Sequence, residues 1–94
     1  MQKLNEEYIN NLCDAVISIN DKEECKKFLL DLFTFQELES TAQRLEVAKQ
    51  LREGKSYNEI NQQTGASTAT ISRVNKCLNY GDGGYAQILE KMGK

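Results

Sequence analysis

Ser56–Asn79, SYNEINQQTGASTATISRVNKCLN, reads as two short helices joined by a tight turn, and the other segments take their places around it. Ser56 and Glu59 stand in capping-box spacing: the serine oxygen can accept from first-turn amides while the glutamate reaches back to the cap amide. A helix therefore begins there. Gly65 supplies a residue able to take positive φ, which ends that helix after about two turns. Ser67 or Thr68 can cap a second helix, in which Ile71, Val74 and Leu78 recur at three- and four-residue steps. That side is core. The opposite side collects Ser67, Thr68, Ala69, Thr70, Ser72, Arg73 and Lys76, small or hydroxylated at the start and basic further along. Small leading side chains let a helix enter a major groove about 12 Å wide, where hydroxyls can bond base edges or phosphates and methyl groups can meet thymine methyls.

A helix-turn-helix asks for an apolar residue in its first helix, glycine in the turn, an apolar residue after it, and two apolar residues in the second helix. Ile60, Gly65, Ala66, Ile71 and Val74 fill those places. Asn61 stands where a small residue such as alanine is usual, which predicts a less close crossing of the two helices. Any two amphipathic helices with a glycine between them share this outline, so the pattern is a hypothesis about DNA rather than a proof.

At 94 residues the chain is one domain near the size at which a single core suffices, and dimerisation is a natural way to bury more apolar surface. Proline is absent, and several capping signals are present; together these favour an all-α chain. No apolar run approaches about 20 residues and MQKLNEEY is polar, so neither a membrane span nor a signal peptide is expected and the location expected is cytoplasmic. Cys13, Cys25 and Cys77 are odd in number, widely spaced and without histidine, which disfavours zinc and a disulfide framework. They read as small buried hydrophobes, and no metal site is expected.

The net charge of −2 is unevenly distributed. Residues 1–40 carry Glu6, Glu7, Asp14, Asp21, Glu23, Glu24, Asp31, Glu37 and Glu39 against Lys3, Lys22, Lys26 and Lys27, a balance of −5. Residues 41–94 carry Glu46, Glu53, Glu59, Asp82 and Glu90 against Arg44, Lys49, Arg52, Lys55, Arg73, Lys76, Lys91 and Lys94, a balance of +3. Phosphate binding depends on basic residues gathered on one face, so a basic half carrying the two-helix motif suits it.

Leu4, Tyr8, Ile9, Leu12, Cys13, Val16 and Ile19 keep helical spacing over about residues 4–19, in a stripe wider than one helix of a small domain ordinarily buries. It reads as a partner surface, a well-covered core helix being the alternative. Asp21 with Glu24 opens a second helix bearing Cys25, Phe28, Leu29, Leu32 and Phe33. Thr34 with Glu37 opens a longer one, with Leu38, Ala42, Leu45, Ala48 and Leu51 along one face and Gly54 at its end. Gln43, Arg44, Lys49, Gln50 and Arg52 border that face as a solvated edge. Tyr80–Gly84, YGDGG, reads as a loop, and Tyr85, Ile88, Leu89 and Met92 as a short last helix. No internal repeat or low-complexity tract is present.

TFQELESTAQRLEVAKQLREG, SYNEI, TGAS and ATISRVNKCLN, in this order between about Phe33 and Met92, resemble the Trp repressor superfamily, in particular its shorter Trp-repressor-like branch of the YerC/YecD type. The resemblance covers roughly two-thirds of the chain, and ATISR preceded by Gly-Ala is its most specific string. It implies an all-α fold of about six helices, with the N-terminal helices of two copies interlaced into a homodimer. Residues 1–54 would then hold the dimerisation helices, 56–79 the helix-turn-helix and 84–92 the C-terminal helix of one domain. It implies double-stranded DNA as partner, two recognition helices meeting a roughly palindromic operator. In tryptophan-binding repressors the co-repressor lies between two arginines with help from a threonine, positions that fall here on Arg44, Arg73 and Thr34. Val74, however, replaces a glycine that leaves room for the indole, and Cys77 replaces a serine. An isopropyl group there would fill the space, which argues against tryptophan and leaves no cofactor expected.

The expected function is thus a sequence-specific DNA-binding regulator, a repressor acting by operator occupancy. Ser67, Thr68, Ala69, Thr70 and Ser72 are the candidates for base edges, Arg73 and Lys76 for positions nearer the backbone, and Lys55, Tyr57, Asn58 and Gln62 for phosphates. Two alternatives stand beside it: a helical dimerisation or adaptor module that binds protein, mildly favoured by the acidic balance, and a regulator with a small-molecule effector near Arg44 and Arg73. An enzyme is not expected, because there is no histidine, no glycine-rich phosphate loop and no nucleophile with an evident base.

Overall fold

The computed structural model describes residues 3–93, and among these every regular element is a helix. In chain order they are α1 (Glu6–Ile17), α2 (Lys22–Leu32), α3 (Phe35–Arg52), α4 (Tyr57–Thr64), α5 (Thr68–Tyr80) and α6 (Gly84–Gly93). The chain forms two compact units, Met1–Leu38 and Glu39–Lys94, with α3 running through the boundary.

In the first unit the helix limits are set by polar side chains that capture helix ends. Asn5 accepts from the Tyr8 amide at 3.0 Å, which starts α1 later than its apolar stripe suggests. Ser18 donates its hydroxyl to the Ala15 carbonyl at 2.7 Å and stops the helix at Ile17, two residues short of the expected end. Glu6 and Glu7 lie in the first turn, where the helix dipole favours carboxylates. Asp21 accepts from the Glu24 amide at 2.8 Å, while the Glu24 carboxylate reaches past the cap to the Asn20 amide at 2.9 Å. Neither α1 nor α2 contains a buried residue. Thr34 and Glu37 close a reciprocal box at the start of α3, each side chain accepting from the other's amide, at 3.1 and 2.9 Å.

The second unit holds the core: Val47, Ala48, Ile60, Ala66, Ile71, Val74 and Leu89, with Leu51 and Tyr85 packed partly against it. The expected inward face of α3 is corrected here. Ala48 is buried and Leu38 and Leu51 are half-buried, but Ala42 and Leu45 are exposed, while Val47 and Gln50 are buried. The cause is that the core is built by the C-terminal half of α3 with α4, α5 and α6, so the buried side is the one carrying Val47, Ala48 and Leu51. Gln50, expected on a solvated edge, is 5% exposed; its Nε2 donates to Glu46 at 2.9 Å and its Oε1 has no partner among the described residues. A Schellman arrangement ends α3: the Gly54 amide donates to Leu51, the Lys55 amide to Gln50, and Gly54 has φ +85°.

The break before α6 is narrower than expected, because α5 continues through Tyr80 and α6 opens at Gly84. Gly81 lies over the Cys77 carbonyl so closely that an added Cβ would collide with it, and its amide donates to that carbonyl at 2.9 Å. Arg52 joins α3 to α6, donating to the Ala86 carbonyl at 3.1 Å and standing 3.6 Å from Glu90. The cysteines also require correction. Cys13 and Cys77 are exposed and Cys25 half-exposed, all three as free thiols, since α1 and α2 bury nothing and Cys77 sits off the buried side of α5.

Candidate nucleic-acid interface

The helix pair 57–80 is built on local signals that agree with one another. Ser56 accepts from the Glu59 amide at 3.1 Å and Glu59 accepts from the Ser56 amide at 2.9 Å, completing the capping box that starts α4. Gly65 ends α4 at φ +76° with its amide on the Asn61 carbonyl at 2.8 Å. Ser67, the first of the two candidate caps, starts α5 by accepting from the Thr70 amide at 3.2 Å. Ile60, Ile71 and Val74 are at most 1% exposed and bind the pair to α3 and α6.

With that side fixed inward, helical geometry turns Ala69, Ser72, Arg73 and Lys76 outward on the face opposite Ile71 and Val74. All four are exposed. Thr68 and Ser67 are exposed at the leading end, whereas Thr70 is half-buried and its hydroxyl accepts from Ser67 Oγ at 3.2 Å. Neither Arg73 nor Lys76 forms a hydrogen bond or ion pair among the described residues. On α4, Asn58 and Gln62 lie opposite Ile60 and are exposed, and Tyr57 is 37% exposed. Lys55 is engaged, with Gln63 Oε1 at 3.3 Å and Glu53 at 3.6 Å, so its ammonium would have to leave these to meet a phosphate.

Of the three positions named for a ligand, Thr34 and Arg44 have local partners and Arg73 has none among the described residues. Thr34 caps α3, Arg44 is half-buried and donates to Ser40 Oγ at 3.0 Å and Thr41 Oγ1 at 3.4 Å, and Arg73 is exposed on α5. The nearby Glu46 accepts from Gln50 rather than from Arg44. Val74 is core, 1% exposed among Val47, Ile60 and Ile71. Gln43, expected on a solvated edge, is instead half-buried with its Nε2 on the Thr64 carbonyl at 3.1 Å, and pattern reading overlooked Thr64, whose hydroxyl donates to Ile60 at 2.7 Å and accepts from the Ala66 amide at 3.1 Å. The one signal in the sequence was Asn61, off-pattern because its amide donates to the Ala66 carbonyl at 2.8 Å.

Residues 7–93 match the family model described as Trp repressor protein. This chain belongs to the Trp repressor family. Within it, the chain is 49% identical over 92 residues to YerC of Bacillus subtilis (strain 168), covering 98% of this chain and 88% of that one. It superposes with TM-score 0.89 on the crystal structure of a TrpR-like protein from Eubacterium eligens ATCC 27750, at 47% identity, covering 93% of this chain and 90% of the other. A crystal structure from Staphylococcus aureus gives TM-score 0.88 at 41% identity, covering 97% and 96%. A Trp-repressor-like protein of the YerC type is therefore what the sequence and the fold both describe, and membership of this family suggests a DNA-binding regulator rather than an enzyme. No described helix is long and apolar enough to cross a membrane.

Proposed function

We propose that the protein is a homodimeric, sequence-specific DNA-binding transcriptional regulator of the cytoplasm that represses by occupying its operator. The observation that carries this reading is the outward face of α5, where Ala69, Ser72, Arg73 and Lys76 stand exposed against a fully buried Ile71 and Val74. Thr68 and Ala69, in the first turn, present small side chains to base edges, and the amides of that turn point toward any phosphate at the helix start. Arg73 and Lys76 follow at the spacing from which backbone contacts are made, with Tyr57, Asn58 and Gln62 of α4 and a released Lys55 flanking them.

Dimerisation is supported by α1 and α2, which bury no residue and leave Leu4, Tyr8, Ile17 and Leu30 more than 60% exposed. Apolar surface of that extent is ordinarily an interface. A two-fold dimer would present two copies of α5 to half-sites about one DNA turn apart. Tryptophan is not the co-repressor on this reading, because Val74 fills the interior position behind α5.

Titration of the purified protein against genomic duplexes at two salt concentrations tests the proposal. Binding should weaken steeply with salt, and Lys76→Ala should reduce the slope by about one unit, as expected for one lost phosphate contact. Binding that is absent at low salt, or indifferent to Ser72→Ala and Lys76→Ala together, would favour a protein-binding adaptor instead.

A further inference from the structure

The turn between α4 and α5 is bonded more completely than a three-residue connection requires. A helix end leaves carbonyls without intrahelical partners, and water can satisfy them over a range of orientations. Here protein side chains take that role and so fix direction as well. The Thr64 carbonyl accepts from Gln43 Nε2 at 3.1 Å, and the Ala66 carbonyl accepts from Asn61 Nδ2 at 2.8 Å. Thr64 Oγ1 bridges the Ile60 carbonyl and the Ala66 amide, at 2.7 and 3.1 Å. With the Gly65 amide on Asn61, the amides of Gly65 and Ala66 and the carbonyls of Thr64 and Ala66 all have protein partners.

Two of these contacts differ in kind from the rest. Gln43 lies 21 residues away on α3, so its hydrogen bond ties the turn to the long helix. Asn61 holds the peptide from which α5 leaves, since Ser67 follows Ala66 directly and caps α5. Behind α5 the interior is filled by Val74 and Ile71. We propose that Gln43 and Asn61 are positioning residues that lock the α4–α5 turn and hold α5 at its DNA-docking angle without a bound small molecule. This rests on the reading of α5 as the DNA-contacting helix. It adds that operator affinity is built into the chain and is not granted by an amino-acid effector.

Gln43→Met and Asn61→Ala each remove the donor without changing charge, so the attraction to phosphate is preserved. Asn61 is exposed, and its alanine variant introduces the small residue usual at that place in a helix-turn-helix, so it serves as the variant that folds if Gln43→Met does not. Two measurements are made below the melting temperature: amide hydrogen exchange residue by residue, and affinity for a selected operator and for random duplex. In both variants the Gly65 and Ala66 amides should exchange faster while Ile71 to Val74 keep their protection. Operator affinity should fall about three- to tenfold, the worth of one net hydrogen bond, with random-duplex affinity and salt slope unchanged. The wild-type operator affinity should be the same with and without each free amino acid.

Unchanged exchange at the turn would overturn the proposal, as would equal losses on operator and random DNA, or an amino acid that raises wild-type operator affinity tenfold. A wild-type protein that binds no duplex at any salt would remove the DNA-binding reading, while the exchange data would still decide whether these side chains lock the turn.

Discussion

Val74 stands where the resemblance implies a glycine in tryptophan-binding repressors, and its surroundings in this chain make it structural. It is 1% exposed in contact with a core that includes Val47, Ile60 and Ile71. Removing its two methyl groups forfeits their transfer free energy and leaves a void that a small core relaxes into only partly. Val74→Ala should therefore cost about 2 kcal/mol in urea denaturation, with an unchanged denaturant dependence. A loss under about 0.5 kcal/mol would mean that the site is not tightly packed. Arg73 beside it has no ion pair among the described residues, so its charge is available to an external anion, whereas Arg44 already donates to Ser40 and Thr41.

At the scale of the helix, the starts of α2, α3, α4 and α5 were readable in the sequence, while both ends of α1 and the last turn of α5 were not, and the buried faces were readable only in part. Gly65 has φ +76° and nothing within 4 Å of an added Cβ, so Gly65→Ala meets backbone strain alone and should lower stability by about 1 kcal/mol, measured by thermal unfolding. A variant as stable as the parent would mean that the turn had changed conformation. Capping by Asp21, Thr34, Ser56 and Ser67 could be read because a cap is settled within four residues of chain. Ile60, Ile71 and Val74 were readable as core for the same reason, their helices being short and strongly one-sided. The face of α3 was not, because its apolar residues run around the helix and only packing by α4, α5 and α6 selects Val47 over Ala42 and Leu45. The burial of Gln50 and the reach of Gln43 to Thr64 are contacts between segments, with no local pattern to announce them. Thr70 is a milder case of the same kind: hydroxyl spacing put it on the outer face, while the Ser67 cap draws its hydroxyl toward the helix start.

For the whole molecule, the first unit is the part whose helices α1 and α2 bury no residue, which is what the proposed dimer would cover. α1 carries Tyr8 at 71% and Ile17 at 78% exposure and buries nothing, although its stripe is long enough to cover a partner helix. Leu12→Glu would place a charge in that stripe, and if the proposed dimer forms through α1 the variant should sediment as a monomer where the parent sediments as a dimer, with α4 and α5 still folded. Unchanged mass would remove α1 from the interface. The cysteines follow the same logic, since Cys13 and Cys25 can be covered only by what α1 and α2 pack against. Charge is arranged to match, the acidic residues concentrated before residue 41 and the basic ones after it, so that the half bearing α5 is the one a polyanion can approach. The most direct measurement is to select random duplexes on the purified protein and sequence those retained. The account predicts an inverted repeat whose half-sites are centred about one helical turn apart, disrupted when Thr68, Ala69 or Ser72 is changed. Retained DNA with no shared motif, or a motif unaffected by all three changes, would contradict it.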